Sequence, residues 1–234
     1  MKILAMDSSA LTACCAVLED EHLIGEFFIN TKLTHSQTLM PMVESLLENT
    51  KTSLSTIDLF AISQGPGSFT GLRIGLSAIK GLAFATNKPC IGVSTLQAMC
   101  YNLISSSGTV CAVMNARRDQ VYTATYKIDN FNIPVYEDKA ISIDELGCAL
   151  EKIDDTIYLV GDGAEMCYER LKFKIKDLRL TRETDRYAKA YSVGLAAIAK
   201  YKTDGSILPA ELNPIYLRLP QAERELLEKR GVSL

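Results

Sequence analysis

The sequence runs through the same succession of patterns twice. Lys2–Met6, Ala13–Leu18 and Leu23–Ile29 are short apolar runs joined by tight turns, as in an antiparallel meander. From about Ser36, Leu39, Met42, Val43, Leu46 and Leu47 recur at helical spacing. A strand at Leu59–Ser63, a helix at Thr70–Thr86, a strand at Cys90–Val93 and a helix at Thr95–Ile104 complete the first round. The second round has strands at Thr109–Met114, Val121–Ile128 and Lys139–Ile141. It continues with a helix at Ile143–Lys152 capped by Ser142, a strand at Ile157–Val160 and a helix at Glu165–Leu171. A short strand at Leu178–Leu180 and an alanine-rich helix at Tyr187–Tyr201 close it. Each round reads β-β-β-α-β-α-β-α. The halves share order, not identity, which points to a duplicated α/β architecture. The boundary falls at 106/107, so 1–106 and 107–234 are the expected domains. The tail from Leu212 to Arg218 is held extended by Pro214, and Gln221–Arg230 reads as a polar helical or frayed end.

One turn is more specified than the rest. Gln64–Gly75 reads Gln-Gly-Pro-Gly-Ser-Phe-Thr-Gly-Leu-Arg-Ile-Gly, between a strand and a long helix. Gly65 and Gly67 reach backbone conformations closed to other residues. Ser68 and Thr70 are good N-cap residues, and the free N–H groups of a helix start attract anions. Gly71 is followed by Leu72 and Arg73, so this is not a Walker loop, which needs Gly-Lys-Ser/Thr. In the helix, Leu72, Leu76, Ile79 and Ala83 share one face. Gly71, Gly75, Ala78, Leu82 and Ala85 share the neighbouring face. Glycine within a helix costs about 1 kcal/mol relative to alanine. Small residues there imply close approach of a second helix of the domain or of another chain.

The 234 residues carry a net charge of −3, which disfavours a dedicated nucleic-acid binder. Seven cysteines, an odd number with no Cys-x-x-Cys, support neither a zinc site nor a dithiol redox site. Cys14, Cys15, Cys90, Cys100 and Cys111 lie in apolar runs and read as small core residues of a protein in a reducing cytosol. No charged segment followed by a long apolar one opens the chain, and no apolar run approaches the roughly 20 residues of a membrane span.

Four motifs carry a resemblance. Asp7-Ser8-Ser9 ends the first strand, and His35-Ser36-x-x-Leu39-x-Pro41 opens the first helix. Gly65–Gly75 opens the second helix, and Pro214-x-Tyr216-Leu217-Arg218 lies near the end. Together they resemble the bacterial TsaB (YeaZ) family over essentially the whole chain. The resemblance implies two tandem ribonuclease H-like domains of the actin/hexokinase/Hsp70 superfamily. It implies a cytoplasmic, non-catalytic subunit of the machinery that forms N6-threonylcarbamoyladenosine at position 37 of tRNAs reading ANN codons. Its implied partners are the catalytic paralogue TsaD, which holds the metal, the ATPase TsaE, and tRNA through the complex. The isolated chain is expected to form a homodimer. The alternative is an ATP-dependent phosphotransferase or ATPase of the same superfamily.

The site residues follow from that comparison. TsaD binds its metal through two histidines four apart on the first helix. Here His35 is followed four on by Leu39, so no metal, cofactor or catalytic residue is expected. Phosphate-binding relatives carry glycine after the first Asp. Here Asp7 is followed by Ser8 and Ser9, and Asp7 reads first as a turn cap. A weak nucleotide or anion contact is expected at Asp7, Ser8, Gly65, Gly67 and Ser68. The partner surface is expected on the two N-terminal helices: His35, Leu39, Met42, Val43 and Leu46 on the first, and Gly71, Arg73, Gly75, Ala78 and Leu82 on the second.

Overall fold

The computed structural model describes residues 1–31 and 33–218; the segment Gln221–Arg230 lies outside them. The first half contains β1 (Lys2–Asp7), β2 (Ala13–Glu19), β3 (His22–Ile29), α1 (His35–Asn49), β4 (Leu59–Gly65), α2 (Phe69–Thr86), β5 (Cys90–Ser94) and α3 (Thr95–Cys100). The second contains β6 (Thr109–Asn115), β7 (Gln120–Lys127), β8 (Asn130–Ser142), α4 (Ile143–Leu150), β9 (Ile157–Val160), α5 (Ala164–Leu171), β10 (Leu178–Leu180), α6 (Glu183–Arg186) and α7 (Ala190–Asp204).

Each half forms a five-stranded mixed sheet. The orders are β3-β2-β1-β4-β5 and β8-β7-β6-β9-β10, the same topology twice. The first three strands of each sheet pair antiparallel, and the last two join parallel to them. The central strand β1 shows why. Ile3, Leu4, Ala5 and Met6 are all buried, and alternation sends them to two different cores. Leu4 and Met6 face α1 and α2 on the outside. Ile3 and Ala5 face the middle of the molecule.

The middle layer crosses the sequence boundary. α3, from the first half, packs on β6 and β7, while α7, from the second, packs on β1, β2, β4 and β5. One core therefore joins both sheets through these two helices. α7 is buried nearly all round, from Ala190 to Ile198, because it has a neighbour on every side. Gly194 faces the side chain of Leu18. The layers are thus α1/α2, first sheet, α3/α7, second sheet, α4/α5.

The short helix α6 was not read in the sequence, several other element ends shift by one or two residues, and three elements differ by more. β8 spans thirteen residues rather than three. It is an edge strand whose positions alternate between exposed and half-buried and mix apolar with polar residues, and it tolerates Pro134. The helix from Thr95 ends at Cys100 and tightens into a 3₁₀ turn at Tyr101–Leu103. The last helix begins at Ala190, where Glu26 of β3 accepts from the Tyr191 N–H at 2.9 Å. A cap from another element leaves no local signature. The Ser142 cap of α4 is present as a capping box with Glu145. Cys14, Cys15, Cys90, Cys100 and Cys111 are buried and free, and burial pushes the Cys15 thiol up to about 12. Among the described residues no helix is long and apolar enough to cross a membrane.

Candidate functional site: interlobe cleft and outer helices

A cleft of about 530 Å³ opens between the lobes. The C-terminal ends of β1, β4, β6 and β9 converge there, with Ser9, Pro66, Asn115 and Asp162 in its wall. In open α/β sheets this is the end where ligands bind.

The glycine-rich turn after β4 forms one wall, but the chain itself fills its inner side. A Cβ at Gly65 (φ +133°) would overlap the carbonyl oxygen of Ile215, and one at Gly67 would overlap that of Ser9. The glycines admit the chain's own backbone. Ser68 caps α2, accepting from the Gly71 N–H at 3.3 Å. Of the five residues expected at an anion contact, only Gly67 and Ser68 line the cleft. Asp7, Ser8 and Gly65 are buried beneath it.

Asp7 closes a turn on its own strand. Its Oδ1 accepts from the Ser9 N–H at 3.1 Å and its Oδ2 from the Ser9 hydroxyl at 3.0 Å, the Asx turn that short polar side chains favour. Burial raises the carboxyl above its usual range, opposed by the neighbouring Ser63, Ser9 and His35. The Ser8 hydroxyl donates to Gly71 O at 2.9 Å. His35 Nε2 donates to Ala10 O at 2.8 Å, so the ring ties the start of α1 to the β1–β2 turn. Among the described residues no group of three or more His, Cys, Asp or Glu side chains is placed to hold a metal ion.

The opposite wall comes from the β6–β7 turn. Arg117, Arg118 and Asp119 are consecutively left-handed, with φ of 62°, 55° and 57°. Such backbone is held only when surroundings over-determine it. Here the Arg117 N–H donates to Asn115 Oδ1 at 2.8 Å, and the Asn115 N–H donates to Asp162 Oδ1 at 3.1 Å. From outside, Arg170 of α5 lies 3.5 Å from Asp119. Burial raises the Asp162 carboxyl, opposed by the Asn115 N–H. The run Asn115–Asp119 is visible as a polar turn in the sequence, but without glycine it gives no sign of left-handed backbone.

The tail runs along the mouth. The Ile215 N–H donates to Gln64 O at 2.7 Å. The Tyr216 ring stacks on Phe69, with centroids 4.6 Å apart. The Arg218 guanidinium donates to Ala116 O at 2.9 Å. Tyr216 and Arg218 belong to a motif already visible in the sequence, but its destination is not.

The outer helices require a correction. Leu39, Met42, Val43 and Leu46 are buried in the outer core of the first lobe and offer nothing to a partner. Gly71 and Gly75 also face inward. A Cβ at Gly71 would overlap Ser8 O, and one at Gly75 would overlap the Ser8 hydroxyl and lie 2.9 Å from Ile62 Cδ1. The small face of α2 thus lets the helix approach the end of β1. Of the expected surface residues, Arg73 is exposed and His35, Ala78 and Leu82 are half-buried. The exposed side of α2 carries Arg73, Ser77, Gly81, Phe84 and Ala85. A Cβ at Gly81 would meet nothing within 4 Å. On α1, Gln37, Met40, Pro41 and Glu44 are exposed.

A family model described as "TsaD: tRNA N6-adenosine threonylcarbamoyltransferase" matches residues 24–212. The chain is similar to the tRNA threonylcarbamoyladenosine biosynthesis protein TsaB of Bacillus subtilis (strain 168). The two are 30% identical over 98% of this chain and 100% of the relative. It is 29% identical to TsaB of Haemophilus influenzae, over 93% of this chain and 94% of that one. Among solved structures, YeaZ from Pseudomonas aeruginosa superposes with a TM-score of 0.76 at 24% identity, covering 92% of this chain and 99% of that one. The activator of 2-hydroxyisocaproyl-CoA dehydratase from Clostridium difficile, with bound ADPNP, matches with a TM-score of 0.51 at 10% identity. That match covers 86% of this chain and 95% of that one. At these identities the structural likeness speaks for the two-lobed fold alone.

Proposed function

The chain belongs to the TsaB (YeaZ) family, and on that premise we propose that it is a non-catalytic subunit in forming N6-threonylcarbamoyladenosine at position 37 of tRNAs reading ANN codons. It pairs with the catalytic paralogue TsaD, and the ATPase TsaE joins them. The observation that carries this reading is the filled turn. The glycines that would let a phosphate approach the backbone instead admit Ile215 O and Ser9 O. The first helix offers one histidine, already committed to Ala10 O, where a metal site needs several converging ligands. Both observations support a duplicated frame that carries out no transfer of its own.

The partner surface is the outward side of α1 and α2, not the side read from periodicity. Met40 (41% exposed) and Phe84 (60% exposed) are large apolar side chains left in water there, and the small exposed residues Ser77 and Gly81 of α2 keep its surface low enough for another helix. Without TsaD the same face joins two copies of this chain, since a self-complementary patch closes as a symmetric dimer.

The test is reconstitution. The purified chain, TsaD and TsaE are incubated with tRNA, ATP, threonine, bicarbonate and an enzyme that forms the threonylcarbamoyl adenylate, each of the first three being omitted in turn. Modified adenosine is expected only when this chain and TsaD are both present. Transfer by this chain without TsaD, abolished by Asp7→Ala, would overturn the reading.

A further inference from the structure

Residues 213–218 reach from one lobe to the other in six residues. Upstream they are anchored on α2, where Lys80 donates to Leu212 O at 3.0 Å and Leu212 itself is buried. At Ile215 they bond the end of β4, and at Arg218 they bond the turn that follows β6. Gly65 is shaped for this contact, since any side chain there would overlap Ile215 O. The segment is therefore a strap, and the first lobe contains a residue that admits it.

One side chain links the strap to the outer surface. Arg73 is exposed on α2. Its guanidinium carbon lies 3.8 Å from the Phe69 ring centroid, and its Nε donates to the Tyr216 hydroxyl at 3.1 Å. Phe69 in turn stacks on Tyr216. A guanidinium has five N–H donors in a fixed fork. Nε is held by the strap, which leaves the Nη groups directed by a side chain that can no longer rotate freely. Fixing a long side chain before binding reduces what association must order.

We propose that the strap positions Arg73 for a carboxylate or carbonyl oxygen of the protein bound on α2, so that strap closure and partner binding favour each other. Arg73 is a contact residue in this scheme and Tyr216 a positioning residue, on the cleft side of α2. The proposal rests on the partner-face reading of α2. Coupling of this kind is reciprocal: the partner tightens the strap by the factor by which the strap tightens the partner.

The experiment is amide hydrogen exchange at Ile215, whose N–H is held by Gln64 O, with Ala5 in the central strand as the control for folding. In the isolated chain, Tyr216→Ala is expected to speed exchange at Ile215 at least tenfold and leave Ala5 unchanged. Tyr216→Phe, which keeps the stack and removes only the hydroxyl, is expected to do so by a smaller factor. Addition of TsaD is expected to slow exchange at Ile215, and Tyr216→Ala to weaken TsaD binding about tenfold, mostly through faster dissociation. Unchanged Ile215 exchange in Tyr216→Ala, with Ala5 still protected, would overturn the strap. TsaD binding that ignores both Ile215 and Tyr216→Ala would overturn the coupling and leave the pairing standing. Failure of TsaD to bind the unaltered chain would overturn the pairing and the coupling with it.

Discussion

The two lobes carry equivalent turns, Gly65-Pro66-Gly67 at the end of β4 and Gly161-Asp162-Gly163 after β9. In each, the first glycine has positive φ, 133° and 103°. Each second glycine faces the end of its own central strand, Ser9 O for Gly67 and, at 3.1 Å, Asn115 N for Gly163. The first glycines differ in what they meet. Gly161 lies against Val113 O, inside the buried strand β6, whereas Gly65 lies against Ile215 O in the tail. The helices that follow differ as well: α2 has 18 residues and α5 has 8, and their neighbours α1 and α4 have 15 and 8. The glycines therefore belong to the shared frame. What is particular to the first lobe is a long outer helix layer and a tail folded back beneath it.

The comparison breaks most visibly at the first glycines. Gly161→Ala adds backbone strain and a clash with a strand that cannot move. These effects together are expected to cost about 2–6 kcal/mol, a fall in melting temperature of roughly 5–20 °C for a chain of this size. Gly65→Ala meets an equally close carbonyl, but the tail can swing away. A smaller fall is expected, with faster amide exchange confined to residues 213–218. Equal melting temperatures for the two variants would show that the tail is as fixed as β6.

A second pair separates the two sides of α2. Gly75→Leu drives a side chain into Ser8 and Ile62, and is expected to destabilise by about 1–3 kcal/mol. Gly81→Leu extends into open space. It is expected to stabilise the free chain by several tenths of a kcal/mol, leucine being the better helix former, while weakening TsaD binding tenfold or more. Thermal melts and a titration with TsaD check both. Loss of stability in Gly81→Leu would show that this side of the helix is covered by the chain itself.

The smallest expected effect concerns the carboxylates at the strand ends. Burial raises Asp7 in the first lobe and Asp162 in the second. A carboxyl raised on folding holds more protons in the native state than in the unfolded one between the two pKa values. Stability is then lost as pH rises through the folded value. Asp7→Asn is expected to melt higher than the parent at pH 7, the difference closing below the unfolded carboxylate range. Asp162→Asn, at a less buried position, is expected to show the same sign and a smaller gap. A less stable Asp7→Asn at pH 7 would mean that the bonds from Ser9 outweigh the burial.

The repeated order of strands and helices was legible because alternation and helical periodicity are local, and each half buries its elements in the same way. Leu72, Leu76, Ile79 and Ala83 were read as the packing face of α2 and are buried there. The turn at Gly65 stood out in the sequence by residue type, and the motifs around Asp7 and Tyr216 through the family resemblance. Where those motifs meet was not legible. Ile215 finds Gln64, and Arg218 finds Ala116, across about 100 residues or more of chain, and no local pattern encodes a partner at that distance. Nor could periodicity orient the glycines of α2. With the apolar face packed on the sheet, the small face beside it can lie either inward or toward solvent. The choice was made by the end of β1, where the Ser8 backbone and hydroxyl come so close to α2 that only glycine fits at positions 71 and 75.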